Sequence, residues 1–445
     1  MPVNRVLGLV KGGGITGVLA RGGLLAFLIQ GAGAALYFLV EVVAARLLGV
    51  NQFGIYALVT AWLYILLMVG TLSLNHMLLR FVPTYLARED WGGLRGVLRR
   101  SNLWAGAAGI VLACGGVALL AALRGCCVEA VVAAAFLPAL IALPFQVLSS
   151  LRQATLRGME KIAHALLPEF VLRPLLFLLL LGAAACFIDR PLDAETAFFL
   201  NLAAVIAAFA TGAIWQRRHL PARVRAAAPA CRDREWLLTA LSLLLVVGLN
   251  LISSRLDVVM LGMLSGAREV GVYSAASRVA DVITFGLACA NAVVAPMIAR
   301  LHATGRQQEL QDLVRQAARG VFLFTLPVAL LIVVFGREVL GLFGADFREG
   351  YTVLAVLVCG QLVNALAGPV GYLMMMTGHQ HAAARIVAGT AALNLALNAA
   401  LIPQFGMIGA AIATAISMVM LNLLMLRTVR LRLSLEPSAI QWPFK

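Results

Sequence analysis

Apolar residues run along this chain in long unbroken blocks, separated by short polar connections rich in arginine. The blocks are apolar all round. They show neither the alternation of a half-buried strand nor the single stripe of a surface helix, which is the pattern of helices immersed in lipid. A helix needs about 20 such residues to cross ~30 Å of hydrocarbon. Twelve blocks qualify, with approximate limits 22–46, 53–78, 102–123, 129–149, 166–188, 196–215, 236–261, 270–297, 318–336, 350–376, 384–402 and 407–427. The ten-residue alternation of an outer-membrane barrel is absent.

Composition agrees. Of 445 residues 62% are hydrophobic and 12% charged, with a mean hydropathy of +0.94. Soluble domains carry about 25% charged residues, so a water-soluble enzyme of this length is excluded. The net charge of +15 comes from 35 Lys and Arg against 20 acids. Assigned to alternate sides of the twelve blocks, with residues at block ends given to the nearer side, 26 of the 35 fall on the side of the N-terminus, six on the other and three (Arg173, Arg255 and Arg278) well inside blocks. That bias places both termini in the cytoplasm and accounts for the high pI without any nucleic acid. The Gly-rich segment 1–21 is expected to be a cytoplasmic lead-in rather than a cleaved signal. Bundles of six spans follow at 22–215 and 236–427, joined by a basic, flexible cytoplasmic linker at 216–235, with a cytoplasmic tail at 428–445. The seven cysteines have no metal-ligand spacing, and no nucleotide-binding loop is present.

The two halves echo each other. Gly54 and Tyr56 recur as Gly271 and Tyr273, Pro83 as Pro296, and Gly158 as Gly378, at separations of 217, 213 and 220 residues. Each half holds an even number of spans, so the copies enter the membrane from the same side. This is a parallel repeat about a pseudo-two-fold axis along the membrane normal, and a substrate site is expected between such halves near mid-membrane.

An ionised residue at a span centre costs about 2.5–3.5 kcal/mol on insertion scales, so intramembrane charges face protein or water. They are few: Glu41, Glu169, Arg173, Arg255, Asp257, Arg278 and Asp281, with Arg46 near the outer end of the first span. Glu169 and Arg173 are four apart, acid first, the favourable helical pairing. Pro168 and Pro174 bracket them and predict a bend. Arg278 and Asp281, three apart, are also placed to pair. Arg255 and Asp257 are two apart and do not share a helix face, so each needs a partner on another helix or water. Asn394 and Asn398 share a face, as ligating oxygens or as an interhelical hydrogen bond.

The stretches Ala45-Arg46-Leu47-Leu48-Gly49 and Phe53-Gly54-Ile55-Tyr56-Ala57-Leu58 resemble the first hairpin of the polysaccharide-export (O-antigen, lipid-linked oligosaccharide) flippases of the multidrug/oligosaccharidyl-lipid/polysaccharide exporter superfamily. Arg80-Phe81-Val82-Pro83 with the basic helix after it, Asp257, and Gly344-Ala345-Asp346-Phe347 fit the same family. The resemblance implies two bundles working by alternating access in a bacterial inner membrane. It also implies transport of undecaprenyl-diphosphate-linked oligosaccharide, with lipid-linked oligosaccharide, membrane lipids and glycan polymerase machinery as partners. It implies no catalytic residue and no cofactor beyond a coupling H+ or Na+. A diphosphate suits guanidinium forks, so Arg46, Arg173, Arg255 and Arg278 are the expected substrate-binding residues. Glu41, Asp257, Asp281 and Asn394 are the expected ion-coupling residues. A cation-coupled multidrug exporter of the same fold is the alternative. A membrane-embedded glycan polymerase or ligase is a second, disfavoured by the short outer loops.

Overall fold

The computed structural model describes residues 15–123, 129–187, 191–253, 255–433 and 435–439; Cys126 and Cys127, most of the lead-in and the end of the tail lie outside them. The described chain is all-helical. It forms two compact units, one of residues 1–48 and 62–248, the other of 49–61 and 249–445. The division falls at Gly248, beyond the expected linker, and one short piece of the first half belongs to the second unit.

The chain opens with α1 (Ile15–Thr71), broken at Gly49 by φ 72° and ψ 170°. This region is open to glycine and costly for other residues. The expected block 53–78 does not run through. Leu72 and Ser73 adopt left-handed backbone, and α2 (Leu74–Ala87) starts afresh. The first unit then adds α3 (Trp91–Leu123), α4 (Ala130–Gly158), α5 (Ile162–Leu167), a π-helical turn at Pro168–Leu172, α6 (Arg173–Phe187) and α7 (Ala194–His219). Its core gathers Leu74, Met77, Leu78 and Phe81 of α2 against Leu94, Leu143 and Val147.

The linker is not a free chain. After α8 (Ala222–Ala226) it runs along the start of α3. Arg95 donates to the Ala227 carbonyl at 2.6 Å, and the Ala230 N–H donates to Gly92 O at 3.0 Å. Arg232 pairs with Asp90 and Arg100 with Asp233, each at 3.3 Å. Trp236, fully buried at the head of α9 (Asp233–Ser253), donates to the Tyr85 hydroxyl at 3.0 Å. Prolines and arginines suggest a solvated strand, but here Arg232 pairs with Asp90, the Arg223 guanidinium lies 6.0 Å from the centre of the Trp91 ring, and the backbone at Ala227 and Ala230 is tied to α3.

The second unit continues with α10 (Leu256–Leu264), α11 (Ala267–Asp281), α12 (Thr284–Ala303), α13 (Gln307–Val334), α14 (Gly336–Gly341), a 3-10 turn at Ala345–Gly350, α15 (Tyr351–Ala367), α16 (Val370–Met376) and α17 (Gln380–Leu433), the last broken at Gly406. The expected blocks 270–297 and 350–376 are each split, the second at Gly368-Pro369, a helix stop. The tail also docks: Gln311 and the backbone of Glu436 exchange two hydrogen bonds of 2.7 Å, and the Ala439 N–H donates to Leu366 O at 3.1 Å. By length and composition, eight helices among the described residues can cross a membrane, two of them the broken α1 and α17. This is a multi-pass membrane protein.

The repeat is visible in the backbone. Gly49 and Gly266, 217 apart, share positive φ (72° and 96°) and extended ψ (170° and 175°). Glu89 and Gly305 are left-handed at φ 52° and 69°, and Glu160 and Gly378 at 61° and 82°. Each of these last two pairs closes a helix with the same bond from the following residue. Asp90 N donates to Tyr85 O and Arg306 N to Leu301 O; Lys161 N donates to Leu156 O and His379 N to Met374 O. That is the six-to-one bond of a Schellman cap. In backbone terms the partner of Gly378 is Glu160, not the Gly158 that the sequence suggested. Gly54 and Gly271 meet face to face inside the second unit. A Cβ on Gly54 would strike the carbonyl of Ala267, and one on Gly271 the carbonyl of Val50. Because 50 and 267 are themselves 217 apart, the contact is reciprocal, as at a two-fold axis.

Candidate functional site

In the first unit the polar residues centre on the π turn. Pro174 has no N–H to offer, and its ring crowds the carbonyl four residues back. The Arg173 N–H reaches the Pro168 carbonyl five residues back instead, and such π turns recur at functional sites. The two prolines that predict a bend frame this π-helical turn. Glu169 and Arg173 pair at 3.3 Å, each about one-fifth exposed. Arg173 also reaches Asn201 Oδ1 of α7 at 3.5 Å, and the Tyr37 hydroxyl of α1 donates to the Glu169 carbonyl at 3.0 Å. Glu41 lies one turn beyond Tyr37, half-buried, while Arg46 is exposed three residues before the Gly49 break.

Arg152 joins this group unexpectedly. Its position near the end of a block suggested a topology signal alone. It lies inside α4, half-buried, with its guanidinium 3.6 Å from the centre of the Phe209 ring and Nη1 donating to Phe209 O at 3.1 Å. A small cavity joins Arg152 to His164, Pro168 and Glu169. The helix runs nine residues past the expected block end at 149, so Arg152 falls six residues before its end.

In the second unit Asp257 is buried in the first turn of α10, where its carboxylate accepts the Val258 N–H at 2.8 Å. The Tyr273 hydroxyl of α11, fully buried, donates to the other carboxylate oxygen and lies 3.4 Å from the Thr414 hydroxyl of α17. The expected partner on another helix is thus a tyrosine, one that the sequence displayed only as a mark of the repeat. Arg255 immediately precedes α10 and is half-buried; Arg278 is half-buried and Asp281 exposed at the C-terminal end of α11. Asn394 and Asn398 are buried and bond each other at 2.9 Å along one face of α17. That bond lies within a helix rather than between helices, and Asn398 Oδ1 has no partner. The predicted residues form two separate groups, one in each unit.

Comparison with known proteins gives a consistent picture. The family description "Polysaccharide biosynthesis protein" matches residues 19–302, and "MatE" matches residues 239–400. Among curated proteins, the probable low-salt glycan biosynthesis flippase Agl15 of Haloferax volcanii is 28% identical over 165 residues, 37% of this chain and 35% of that protein. The probable flippase AglR of the same organism is 26% identical over 207 residues, 42% and 39% of the two chains. The chain thus matches little more than a third of these relatives' length. Among solved structures, the inward-facing form of a multidrug resistance MATE family transporter of the MOP superfamily superposes with a TM-score of 0.71 at 18% identity, covering 96% of this chain and 97% of that one. The lipid II flippase MurJ in an inward closed conformation also scores 0.71, at 14% identity over 92% and 87%. At these identities the likeness establishes the fold alone, an all-helical membrane fold of two bundles. With more than half its length matched by one family description, the chain belongs to the polysaccharide biosynthesis protein family.

Proposed function

We propose that the protein flips undecaprenyl-diphosphate-linked oligosaccharide across the bacterial cytoplasmic membrane by alternating access, driven by an H+ or Na+ gradient, with both termini in the cytoplasm. The observation that carries this reading is that Arg173 and Arg278, within helices, and Arg255, at the head of α10, lie inside the apolar blocks and yet keep partly accessible side chains. A diphosphate must shed water to cross, and guanidinium groups replace that hydration with directed, charge-assisted hydrogen bonds. Arg46 would meet the headgroup near the outer end of the first span. Asp257, with Glu41, Asp281 and Asn394, would take up the coupling cation, and glycan polymerase machinery would receive the product. The Agl15 and AglR names support glycan flipping.

The test is transport of a fluorescent diphosphate-linked oligosaccharide by vesicles carrying Arg255→Ala or Arg278→Ala. Each change should lower apparent affinity by about ten- to hundred-fold, since a charge-assisted bond contributes ~1.5–3 kcal/mol. The corresponding Lys variants should recover only part, having charge without the planar fork. Recovery in the Arg278→Ala, Asp281→Ala double variant would remove Arg278 from the site, leaving it as a charge balance. Unchanged transport in both single variants would end the diphosphate reading. The MatE match over residues 239–400 favours a second reading, cation-coupled export of amphipathic drugs. Drug efflux by the same vesicles, without oligosaccharide transport, would select it.

A further inference from the structure

The two arms of α17 line a second feature, separate from the intramembrane charges. At the end where residues 382–389 and 424–432 face a common space lies a cavity of about 540 Å³. Its rim carries Arg385, Arg427, Arg432 and Thr428, its floor includes Ile386 and Leu424, and no acidic residue lines it. Among the described residues none of these three arginines makes an ion pair, whereas Arg268, Arg306 and Arg315 of the same unit do. The rim is therefore a set of unmatched forks for an anion.

What lies beside the rim indicates the source of the anion. Ile416, Met420, Leu423 and Leu431 are exposed large hydrophobic side chains, and with Arg427 they follow one ridge of α17 at spacings of three and four residues. In a membrane protein such a ridge faces lipid. From Arg385 to Gly389, and from Thr428 back to Leu424, is one helical turn, about 6 Å along the axis. The floor thus turns apolar within a turn of the guanidinium groups, and the charge bias assigns this end to the cytoplasmic face. A phospholipid presents the same sequence of chemistry over the same distance, phosphate first and acyl chain below it.

We infer that this groove binds an anionic phospholipid of the surrounding bilayer, holding its phosphate with Arg385, Arg427 and Arg432 and its acyl chain against the floor. Basic pockets between helices at the cytoplasmic surface are suited to lipid headgroups. The site requires only that the protein is inserted, not that it transports glycans.

Gly389 provides a steric test. It lines the groove, and a Cβ built there meets nothing within 4 Å, so Gly389→Leu fills the space while leaving every charge in place. Wild type, Gly389→Leu and the Arg385→Gln, Arg427→Gln double variant are purified and examined by native mass spectrometry with added phosphatidylglycerol or phosphatidylcholine. Wild type should retain phosphatidylglycerol in preference to phosphatidylcholine, and both variants should lose that retention by about tenfold or more, the double variant through loss of charge-assisted bonds and Gly389→Leu through occupation of the acyl-chain space. Millimolar inorganic phosphate should not displace the lipid. Equal retention of the two lipids by wild type would overturn the proposal, as would undiminished phosphatidylglycerol on a folded Gly389→Leu. Displacement by free phosphate would reduce the site to a bare anion site and overturn its assignment to a lipid. Should either variant fail to fold, the other carries the test.

Discussion

The two repeats agree in backbone and differ in chemistry. At the first hinge, Gly49, Gly54 and Tyr56 match Gly266, Gly271 and Tyr273 position for position, with the same unusual torsions at the leading glycine. Nine residues before that glycine stands Val40 in one copy and Asp257 in the other, both buried. The nearest acid of the first copy is Glu41, one residue on and about 100° round the helix, and it is half-buried. The first unit instead concentrates its charge at the π turn, as a cation and an acid on adjacent turns. The second unit holds a carboxylate hydrogen-bonded to two neutral donors, the Val258 N–H and the Tyr273 hydroxyl, with Arg255 nearby in the chain. Duplication conserved what the chain needs in order to turn and pack, and left each copy to place charge by itself.

The largest effect should come from what the copies share. Gly54 and Gly271 each press on the other copy's backbone, so a side chain at either cannot be relieved by a rotamer change. Overpacking a core costs about 1–3 kcal/mol and occasionally more. Gly54→Leu and Gly271→Leu should each reach the upper end, about 3 kcal/mol or beyond, seen as a collapse of the folded fraction in detergent. Reciprocity requires the two losses to be similar. A severe loss for one and tolerance of the other would show that the contact is not a two-fold one.

Where the copies differ, stability and transport should separate. Glu169→Gln leaves Arg173 in an apolar helix with a weakened partner. Breaking a fully buried pair costs about 3–5 kcal/mol; this pair is one-fifth exposed, so thermal unfolding should show a loss of about 2 kcal/mol. Asp257→Asn keeps one oxygen for the Val258 N–H and turns its NH2 toward the Tyr273 hydroxyl, which can accept in place of donating. Its cost should stay near 1 kcal/mol, about that of one neutral hydrogen bond, while gradient-driven transport falls. Transport by Asp257→Asn that responds to the gradient as wild type does would remove Asp257 from coupling. Stability unchanged in Glu169→Gln would show that the ion pair contributes nothing.

These contrasts also mark what the sequence makes legible. Long apolar blocks, the charge bias and the Gly–Tyr echo follow from local composition, and they led to the helical repeat. The Glu169–Arg173 pair was legible, and a local irregularity with it, because both partners and both prolines lie within seven residues. Asp257 was legible as a residue in need of a partner, but not Tyr273 as that partner. The two sit 16 positions apart across a helix break, and only packing brings them together. Arg152 was hidden for the opposite reason: an arginine near a block end satisfies the topology rule equally well whether it faces solvent or a neighbouring ring. The docked linker needed long-range contacts that no window of sequence contains.

The smallest expected effect tests whether the repeat persists where the residue types have diverged. Glu160 occupies the left-handed cap that its counterpart Gly378 occupies at nearly the same φ. An L-residue there costs roughly 1–2 kcal/mol, while glycine is free of that strain but loses about 0.5–1 kcal/mol through its greater freedom when unfolded. Glu160→Gly should therefore stabilise the protein slightly, by about 0.5–1 kcal/mol. Gly378→Ala should destabilise it by a similar amount, because a Cβ at Gly378 meets no atom within 4 Å and only the torsion opposes it. Thermal unfolding of both variants in one detergent makes the comparison. Opposite signs would establish that the two caps are the same device carrying different residues. A loss of stability in Glu160→Gly would mean that the Glu160 side chain contributes more than its strained backbone costs, and the equivalence of the two caps would then be one of shape alone.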